Sequence, residues 1–265
     1  MERLPIPVES PAAATLLGWG LVACFLLTNA KGLPFAHSIR LLPSVFRLLR
    51  LRRSSSPKHD APVIGFGTSS AAHPALFRHH VTSSRTVLFD LDVNMHKSNS
   101  TFFADADSNR AELLTKTLSK GLAAAMPLLA AVQCTFKREL RAFQAYQVSS
   151  RILAWDERSL FIVTYFLKPG TKLPSEVELA GGPSAVLQDA NLRRAVYAVM
   201  VTRYVCKSGR QTVAPAVVLE AAGLLVSESC GQSQEKGSAN SALLSAEIVE
   251  KAVRSGMNYV VQCMA

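Results

Sequence analysis

Hydrophobic and polar residues form several distinct patterns along the chain, and the first is an uncharged stretch over residues 11–30. Its apolar part runs from Ala12 to Leu27, at the short end of the roughly 17–25 residues usual for a membrane-spanning helix. A cleaved signal peptide is the alternative, but it normally has a basic segment before the apolar run. Here the basic residues follow the run, which favours an uncleaved anchor with its C-terminal side in the cytoplasm. We therefore predict a membrane anchor at residues 1–30 and a location in the endoplasmic reticulum, with the domain facing the cytoplasm.

The next segment, residues 31–61, is strongly basic. Residues 31–60 hold seven basic residues and one acidic residue, a net +6 of the chain's +10. Arg47, Arg50 and Arg53 recur among leucines, which fits anionic lipid headgroups at roughly 1 kcal/mol per basic residue. The segment lacks the aromatic and polar side chains that read nucleic acid, so we expect no nucleic-acid partner. A solvated linker is the alternative, and "RRSSSPKHDAP" has the composition of a flexible tether.

Further along, the patterns predict one long helix and several strands. Residues 100–122 have helical spacing, with Gly121 as a plausible end. Runs rich in β-branched and aromatic residues, typical of strands, occupy residues 77–92, 131–143, 146–155, 159–167 and 195–207. The stretch "WDERS" between two of these runs predicts a tight hairpin turn.

This order of elements predicts an α+β fold, with an antiparallel sheet wrapped around one long helix. We place the folded domain at residues 62–210, with a polar insertion at about 169–192. Residues 211–265 are then a C-terminal helical extension, in which a linker precedes a final amphipathic helix. The five cysteines are spread along the chain without a CxxC motif, which indicates reduced thiols and neither a metal nor a cofactor.

The stretch "FDLDVNMHKSN" places many polar groups between a predicted strand and the predicted helix. One interpretation is that "VLFDLDVN" resembles the first motif of the haloacid dehalogenase family. That resemblance implies a phosphatase with Asp90 as nucleophile, Asp92 as general acid and a magnesium ion. However, Val93-Asn94 replaces the usual Gly-Thr, and the family needs alternating strands and helices.

A second interpretation fits more of the chain. The spacing of seven residues resembles the fingerprint of hotdog-fold thioesterases of the 4-hydroxybenzoyl-CoA type: Asp90, Asp92, His96, Asn99, Phe102, Asp105 and Arg110. The stretches "FKRELRAF" and "RILAWDERSLF" resemble the membrane-anchored, thioesterase-superfamily-member-6-like branch and its fungal relatives. The resemblance covers about residues 76–168 and implies a hotdog fold, a homodimer and hydrolysis of an acyl thioester.

Physical chemistry assigns roles that agree with this resemblance. The start of a helix favours negative charge, so a thioester carbonyl placed there gains an oxyanion site. We predict Asp92 as nucleophile or base, with His96 and Asn99 as the other catalytic residues. Predicted substrate-binding residues are Lys97, Ser98, Phe102 and Asp105. Ser98 or Asn99 would also cap the helix.

Each assignment has a less specific alternative. Asp105 and Arg110 could be a helical surface pair, and Trp155, Asp156 and Arg158 could be turn and packing residues. Lys97 and Ser98 replace part of the family's usual Asn-Asn pattern; the lysine could attract a phosphate of the acyl carrier.

The predicted function is hydrolysis of an acyl-CoA or a carrier-protein-bound acyl thioester by a membrane-associated homodimer. The resemblance implies a setting in fungal lipid or secondary-metabolite biosynthesis, such as lipopeptide or polyketide pathways. The alternatives are a non-catalytic acyl-binding hotdog protein and the phosphatase.

Overall fold

A computed structural model describes residues 11–54, 71–226 and 244–264. The helices are α1 (Pro11–Thr28), α2 (Ala36–Ser54), α3 (Asn99–Thr117), α4 (Ser175–Gln188), α5 (Ala190–Ala195), α6 (Pro215–Ala221) and α7 (Ala246–Met264). The strands are β1 (Ala71–Ala72), β2 (His80–Arg85), β3 (Met126–Phe136), β4 (Ala145–Trp155), β5 (Ser159–Leu167), β6 (Val196–Ser208), β7 (Gln211–Thr212) and β8 (Leu225–Val226).

The main sheet is antiparallel, with strand order β2-β4-β5-β6-β3 and β7 paired to the end of β6. The strands β4 and β5 form the predicted hairpin. Asp156 closes its turn, because its Oδ1 accepts the N–H groups of Arg158 and Ser159 at 2.7 and 2.6 Å. The prediction that "WDERS" is a tight turn is confirmed.

The sheet surrounds α3, as the predicted α+β arrangement requires. Asn109 donates to Thr82 Oγ1 on β2 at 2.9 Å and to the Val148 carbonyl on β4 at 3.2 Å. The Phe102 ring contacts those of Phe166 on β5 and Phe136 on β3, with centroids 4.8 and 5.2 Å apart. Arg110 reaches β6, where its Nε donates to Tyr204 Oη at 3.2 Å. One helix thus contacts all five long strands, and the predicted hotdog arrangement is confirmed.

The opposite face of the sheet is covered by α4 and α7. Alternate residues of a strand point to opposite faces, so Ile162 packs on the α3 side while Val163 packs against the α4–α7 side. Gly256 lets α7 approach β4 closely: a Cβ there would lie 2.8 Å from the Leu153 carbonyl oxygen. Burial on both faces explains why β5 reads as a continuous apolar run.

The predicted polar insertion is therefore mostly helical and packed on the core. Glu178 of α4 is 2% exposed and lies 3.2 Å from Arg151 Nε and 2.5 Å from His79 Nε2. His79 also contacts Ser149 Oγ at 2.8 Å. Burial by itself raises the pKa of Glu178, but Arg151 and His79 together lower it to about 2. A buried, paired carboxylate fixes α4 to β4, and this could not be seen in the polar composition of the insertion.

The prediction of a membrane anchor is wrong. Within the described ranges, the structure has no helix that combines the length and the apolar character needed to cross a bilayer. The predicted membrane-anchored location in the endoplasmic reticulum is therefore wrong as well, and a membrane partner is not shown. A cleaved signal peptide, the alternative to the anchor, stays untested.

Other boundaries differ by a few residues from those predicted. The helix expected over 100–122 is α3, and a short 3₁₀ turn follows at Gly121–Ala123. The strand expected over 131–143 begins and ends earlier, at β3, because the charged stretch after Phe136 turns away from the sheet. The predicted final amphipathic helix is α7. The linkers predicted at 52–62 and 231–240 lie almost wholly outside the described residues, and the domain boundaries stay predictions.

Candidate active site

The polar stretch between β2 and α3 folds into a short loop whose two ends lie side by side. A 3₁₀ turn covers Leu88–Asp90, after which Leu91 and Lys97 form an antiparallel bridge. At its tip, the Asp92 N–H donates to the His96 carbonyl at 2.9 Å. Met95 takes a positive φ of 60° to close the turn. The loop thereby brings residues 92 and 96 together at the start of α3.

A cavity of about 310 Å³ opens beside this loop. Its lining includes five of the seven predicted site residues: Asp92, His96, Lys97, Asn99 and Phe102. The other walls come from the end of β3 and the segment after it, Phe136–Leu140. The structure therefore assembles the predicted catalytic residues around one space, while Ser98 and Asp105 are not part of its lining.

Asp92 lies at the surface of this cavity. Its Oδ1 accepts the Asn94 N–H at 2.9 Å and the His96 N–H at 3.4 Å. Its Oδ2 accepts no hydrogen bond from the residues that the structure describes. His96 Nε2 lies 3.1 Å from Glu139 Oε2, so the imidazole is oriented by that glutamate. One oxygen of Asp92 is thus held by the loop, and the residue is exposed beside the cavity.

Ser98 occupies the N-cap position of α3, but its side chain makes no capping hydrogen bond. Its Oγ contacts Ser100 Oγ at 3.0 Å instead, and Asn99 is the first residue of the helix. The predicted position of the cap is confirmed, whereas the predicted capping bond is absent. The start of α3 is consequently left without a side-chain cap next to the cavity, where its dipole favours developing negative charge.

A buried ion-pair cluster lies directly beneath the loop. Lys97 Nζ is 2.8 Å from Asp105 Oδ2 and 3.3 Å from Asp90 Oδ2, and the Lys97 side chain is fully buried. Tyr146 Oη donates to Asp105. Burial lowers the pKa of Lys97 although Asp105 opposes this shift. Burial also opposes ionisation of Asp105, but Lys97 and Lys31 hold its pKa well below the usual range.

These contacts change the interpretation of several predicted residues. The ammonium of Lys97 forms ion pairs with two buried carboxylates. This favours a structural role inside the protein over binding of a carrier phosphate. Asp105 and Arg110 do not form a surface pair: both are 1% exposed. Arg110 Nη2 instead lies 3.6 Å from Asp107 Oδ1. Phe102 is buried inside the sheet, at 2% exposed, although it also lines the cavity.

Sequence reasoning missed two residues of this cluster, Lys31 and Arg40. Lys31 Nζ lies 2.6 Å from Asp90 Oδ2 and 3.1 Å from Asp105 Oδ2, and Arg40 Nη1 lies 2.9 Å from Asp105 Oδ1. Both belong to the basic segment 31–61, and Arg40 lies in the part of it predicted to contact lipid headgroups. Nothing in the local pattern identifies their partners, which are about 60–75 residues away in sequence.

A second cavity, of about 640 Å³, shares two lining residues with the first, Arg138 and Glu139. Three cationic side chains lie around it: Arg138, Arg141 and Lys168. Among the residues that the structure describes, Glu139 is the one acidic residue in its lining. Arg138 stacks on the Tyr197 ring at 5.7 Å. The quoted stretch "FKRELRAF" thus supplies a cationic space beside the cavity of Asp92.

Comparisons with known proteins show which family this chain resembles. The family model of the thioesterase-like superfamily matches residues 87–222. Thioesterase poxG of Penicillium oxalicum is 36% identical over 231 residues, which cover 80% of this chain and 73% of that protein. Protein THEM6 of Xenopus laevis is 29% identical over 98 residues, 35% of this chain and 46% of that protein. The crystal structure of the probable thioesterase YbaW from Escherichia coli matches with a TM-score of 0.40 at 10% identity, covering 54% of this chain and 95% of that one.

Proposed function

Because the chain belongs to the thioesterase-like superfamily, we propose that it hydrolyses an acyl thioester in the cavity beside α3. The observation that carries this proposal is the convergence of Asp92, His96 and Asn99 on one cavity at a helix start. The phosphatase alternative is wrong, because the main sheet is antiparallel throughout and Asp90 is buried in ion pairs.

The proposed chemistry follows from the positions of these groups. A thioester carbonyl at the start of α3 meets the positive end of the helix dipole, which stabilises the oxyanion of the tetrahedral intermediate. The carboxylate of Asp92 either takes a proton from an attacking water or attacks the carbonyl carbon itself. In the first route the tetrahedral intermediate expels the thiolate as the C–S bond breaks, and the thiolate takes up the proton. In the second route the thiolate leaves a mixed anhydride on Asp92, which a water molecule then hydrolyses. Both routes consume one water and give a carboxylic acid and a free thiol. His96 and Asn99 lie beside the same space to orient the substrate.

The substitution Asp92→Asn tests this role. It keeps the shape of the side chain and removes the charge and the base, so hydrolysis should fall by at least about 100-fold. The measurement is thiol release from acyl-CoAs of graded chain length, without added metal. Asp156→Asn is a matched control, since Asp156 also accepts backbone N–H groups in a tight turn but lies in the β4–β5 hairpin. Full activity of Asp92→Asn would remove the assigned role.

The second cavity supports a substrate whose thiol arm ends in a phosphate, as in coenzyme A or a carrier protein. Arg141 and Lys168 are exposed cations at that cavity, and Arg138 and Glu139 line both spaces. A thioester bound beside Asp92 could therefore extend its arm toward the cations. An exposed ionic contact contributes up to about 1 kcal/mol, which corresponds to about fivefold in KM for each residue.

Two substrates with the same acyl group test this assignment: acyl-CoA and acyl-N-acetylcysteamine, which carries no phosphate. Arg141→Gln and Lys168→Gln should each raise KM for acyl-CoA about fivefold and leave KM for the short thioester unchanged. Arg158→Gln, in the distant hairpin, is the control. Equal changes of KM for both substrates would show that these cations do not bind the phosphate.

The non-catalytic alternative remains distinguishable in the same assays. An acyl-binding protein would bind acyl-CoA without releasing thiol, and wild type and Asp92→Asn would behave alike. The acyl chain length and a setting in fungal lipid or secondary-metabolite biosynthesis stay predictions from the resemblance.

We also propose that the protein forms a homodimer. The strand β3 is an edge of the main sheet, and exposed edges favour pairing with another chain. Leu128 and Leu129 on β3 are each 52% exposed. The end of β3 lines the cavity of Asp92, so a subunit contact along this strand would lie close to the proposed site.

A further inference from the structure

The segment that precedes the matched family region contacts the loop that leads to Asp92. We define residues 25–40, from the end of α1 to the first part of α2, as the N-terminal clamp. Asn29 is 1% exposed, and its Oδ1 accepts the Leu88 N–H at 2.8 Å. Gly32 lies so close to Phe89 that a Cβ at position 32 would be 2.4 Å from the Phe89 Cβ. The clamp therefore contacts the 3₁₀ turn just before the proposed catalytic aspartate.

Lys31 is the central residue of the clamp. Besides its two carboxylate contacts, Lys31 Nζ donates to Tyr146 Oη at 2.8 Å and to the Arg85 carbonyl at 3.1 Å. Its side chain is 15% exposed. One ammonium thus joins Asp90, Asp105, β2 and β4 at the base of the loop.

The clamp also supplies charge that the matched region lacks. Within residues 87–222, Asp90 and Asp105 are buried carboxylates whose cationic contact is Lys97. A second and a third cation come from Lys31 and Arg40, which lie outside that region. Of the two cations at Asp90, Lys31 is the closer, at 2.6 Å against 3.3 Å for Lys97. Because loss of a partner from a buried ion pair is unfavourable, the position of Asp90 depends on Lys31.

Asp90 connects the clamp to the proposed active site. Its carbonyl accepts the Ser98 N–H at 2.7 Å, so Asp90 fixes the last residue before α3. Asp92 follows two residues later on the same loop, and Lys97 joins the loop to the Leu140 carbonyl at 2.8 Å. A displacement of Asp90 would therefore move both Asp92 and the start of α3.

We propose that Lys31 is a positioning residue of the active site, which holds the loop of Asp92 in place through Asp90 and Asp105. Its effect on hydrolysis rests on the proposed function, but its effect on the loop does not. Misplacement of a reacting group by about 1 Å can cost about 100-fold in rate. Since Lys97 and Arg40 remain in a Lys31 variant, we expect a partial loss of about tenfold.

The test compares full-chain variants in two measurements. Lys31→Met should lower kcat about tenfold and change KM less than threefold, whereas Lys31→Arg, which keeps the charge, should restore at least half of the activity. Hydrogen exchange of the amides of residues 90–98 should become faster in Lys31→Met, while those of β5 stay protected. Arg50→Met is the matched control, because Arg50 is an exposed cation of α2 that makes no ion pair within the described residues.

The two measurements separate this proposal from the proposed function. If wild type hydrolyses no thioester, a local increase of exchange at residues 90–98 still supports the clamp. Unchanged exchange and kcat in Lys31→Met would overturn it. If Lys31→Met unfolds the whole protein, Asn29→Ala takes its place. Asn29→Ala removes the bond to Leu88 and should loosen residues 88–98 alone; a fully protected loop in that variant would also overturn the proposal.

Discussion

Asp90 and Asp92 are separated by one residue, yet the structure predicts opposite consequences when each is changed to asparagine. Asp90 has a side chain 5% exposed, with Lys31 Nζ at 2.6 Å and Lys97 Nζ at 3.3 Å. Asp92 is exposed and holds one close backbone hydrogen bond, at 2.9 Å. An asparagine oxygen can still accept that bond. Asp90→Asn should therefore mainly destabilise the fold, and Asp92→Asn should mainly abolish chemistry.

The magnitudes follow from burial and pairing. Removing one partner of a buried ion pair costs about 3–5 kcal/mol, and the lower end applies because both lysines keep Asp105 as a partner. A loss of about 3 kcal/mol lowers Tm by about 6–12 °C in a domain of this size. A surface change such as Asp92→Asn stays within about 0.5 kcal/mol. Its loss of at least about 100-fold in rate corresponds to about 2.7 kcal/mol of transition-state stabilisation.

The assays are calorimetric unfolding and thiol release from acyl-CoA, measured on the same preparations of wild type and both variants. Asp90→Asn, assayed well below its Tm, should keep at least about a tenth of wild-type activity. A Tm of Asp92→Asn as low as that of Asp90→Asn would mean that Asp92 acts through the fold. Complete loss of hydrolysis in a well-folded Asp90→Asn would refute the division of roles.

Three further results are expected from other parts of the molecule. The folded-state pKa of Glu178, about 2, lies below its ordinary 4.5. The ionised side chain therefore adds about 3 kcal/mol to the free energy of unfolding above pH 4.5, and this contribution disappears as the pH falls toward 2. In urea unfolding, the stability difference between wild type and Glu178→Gln should shrink over that range, and a constant difference would contradict the ion-pair role. Leu129→Glu on the edge strand should convert a dimer to a monomer in light scattering, and a wild-type protein that is already monomeric and active at micromolar concentration would contradict the proposed assembly. Gly256→Val should lower the free energy of unfolding by about 1–3 kcal/mol, because the new side chain meets the β4 backbone; an unchanged Tm would show that α7 can move away from the sheet at little cost.

Several features of this protein were determined by short stretches of sequence. The helical spacing after residue 99 predicted α3, and the "WDERS" stretch predicted the β4–β5 turn, because each depends on neighbours a few residues apart. The cavity residues Asp92, His96 and Asn99 were found for the same reason. They lie within eight consecutive positions, so one loop brings them together and the motif's spacing identifies it.

Other features were decided by contacts between distant parts of the chain. Lys31 and Arg40 belong to a basic segment whose pattern indicates a lipid contact or a linker, but tertiary structure places both side chains against carboxylates about 60 residues away. The sequence predicts that Lys97 could attract a phosphate of the acyl carrier, but its side chain is buried in the same ion-pair cluster. The polar insertion folds into α4 and α5, and Glu178 of α4 pairs with Arg151 on β4 and with His79 just before β2. Periodicity reports which face of an element is apolar, whereas the partner of a charged side chain depends on which elements the fold brings together, and that information is absent from any local pattern.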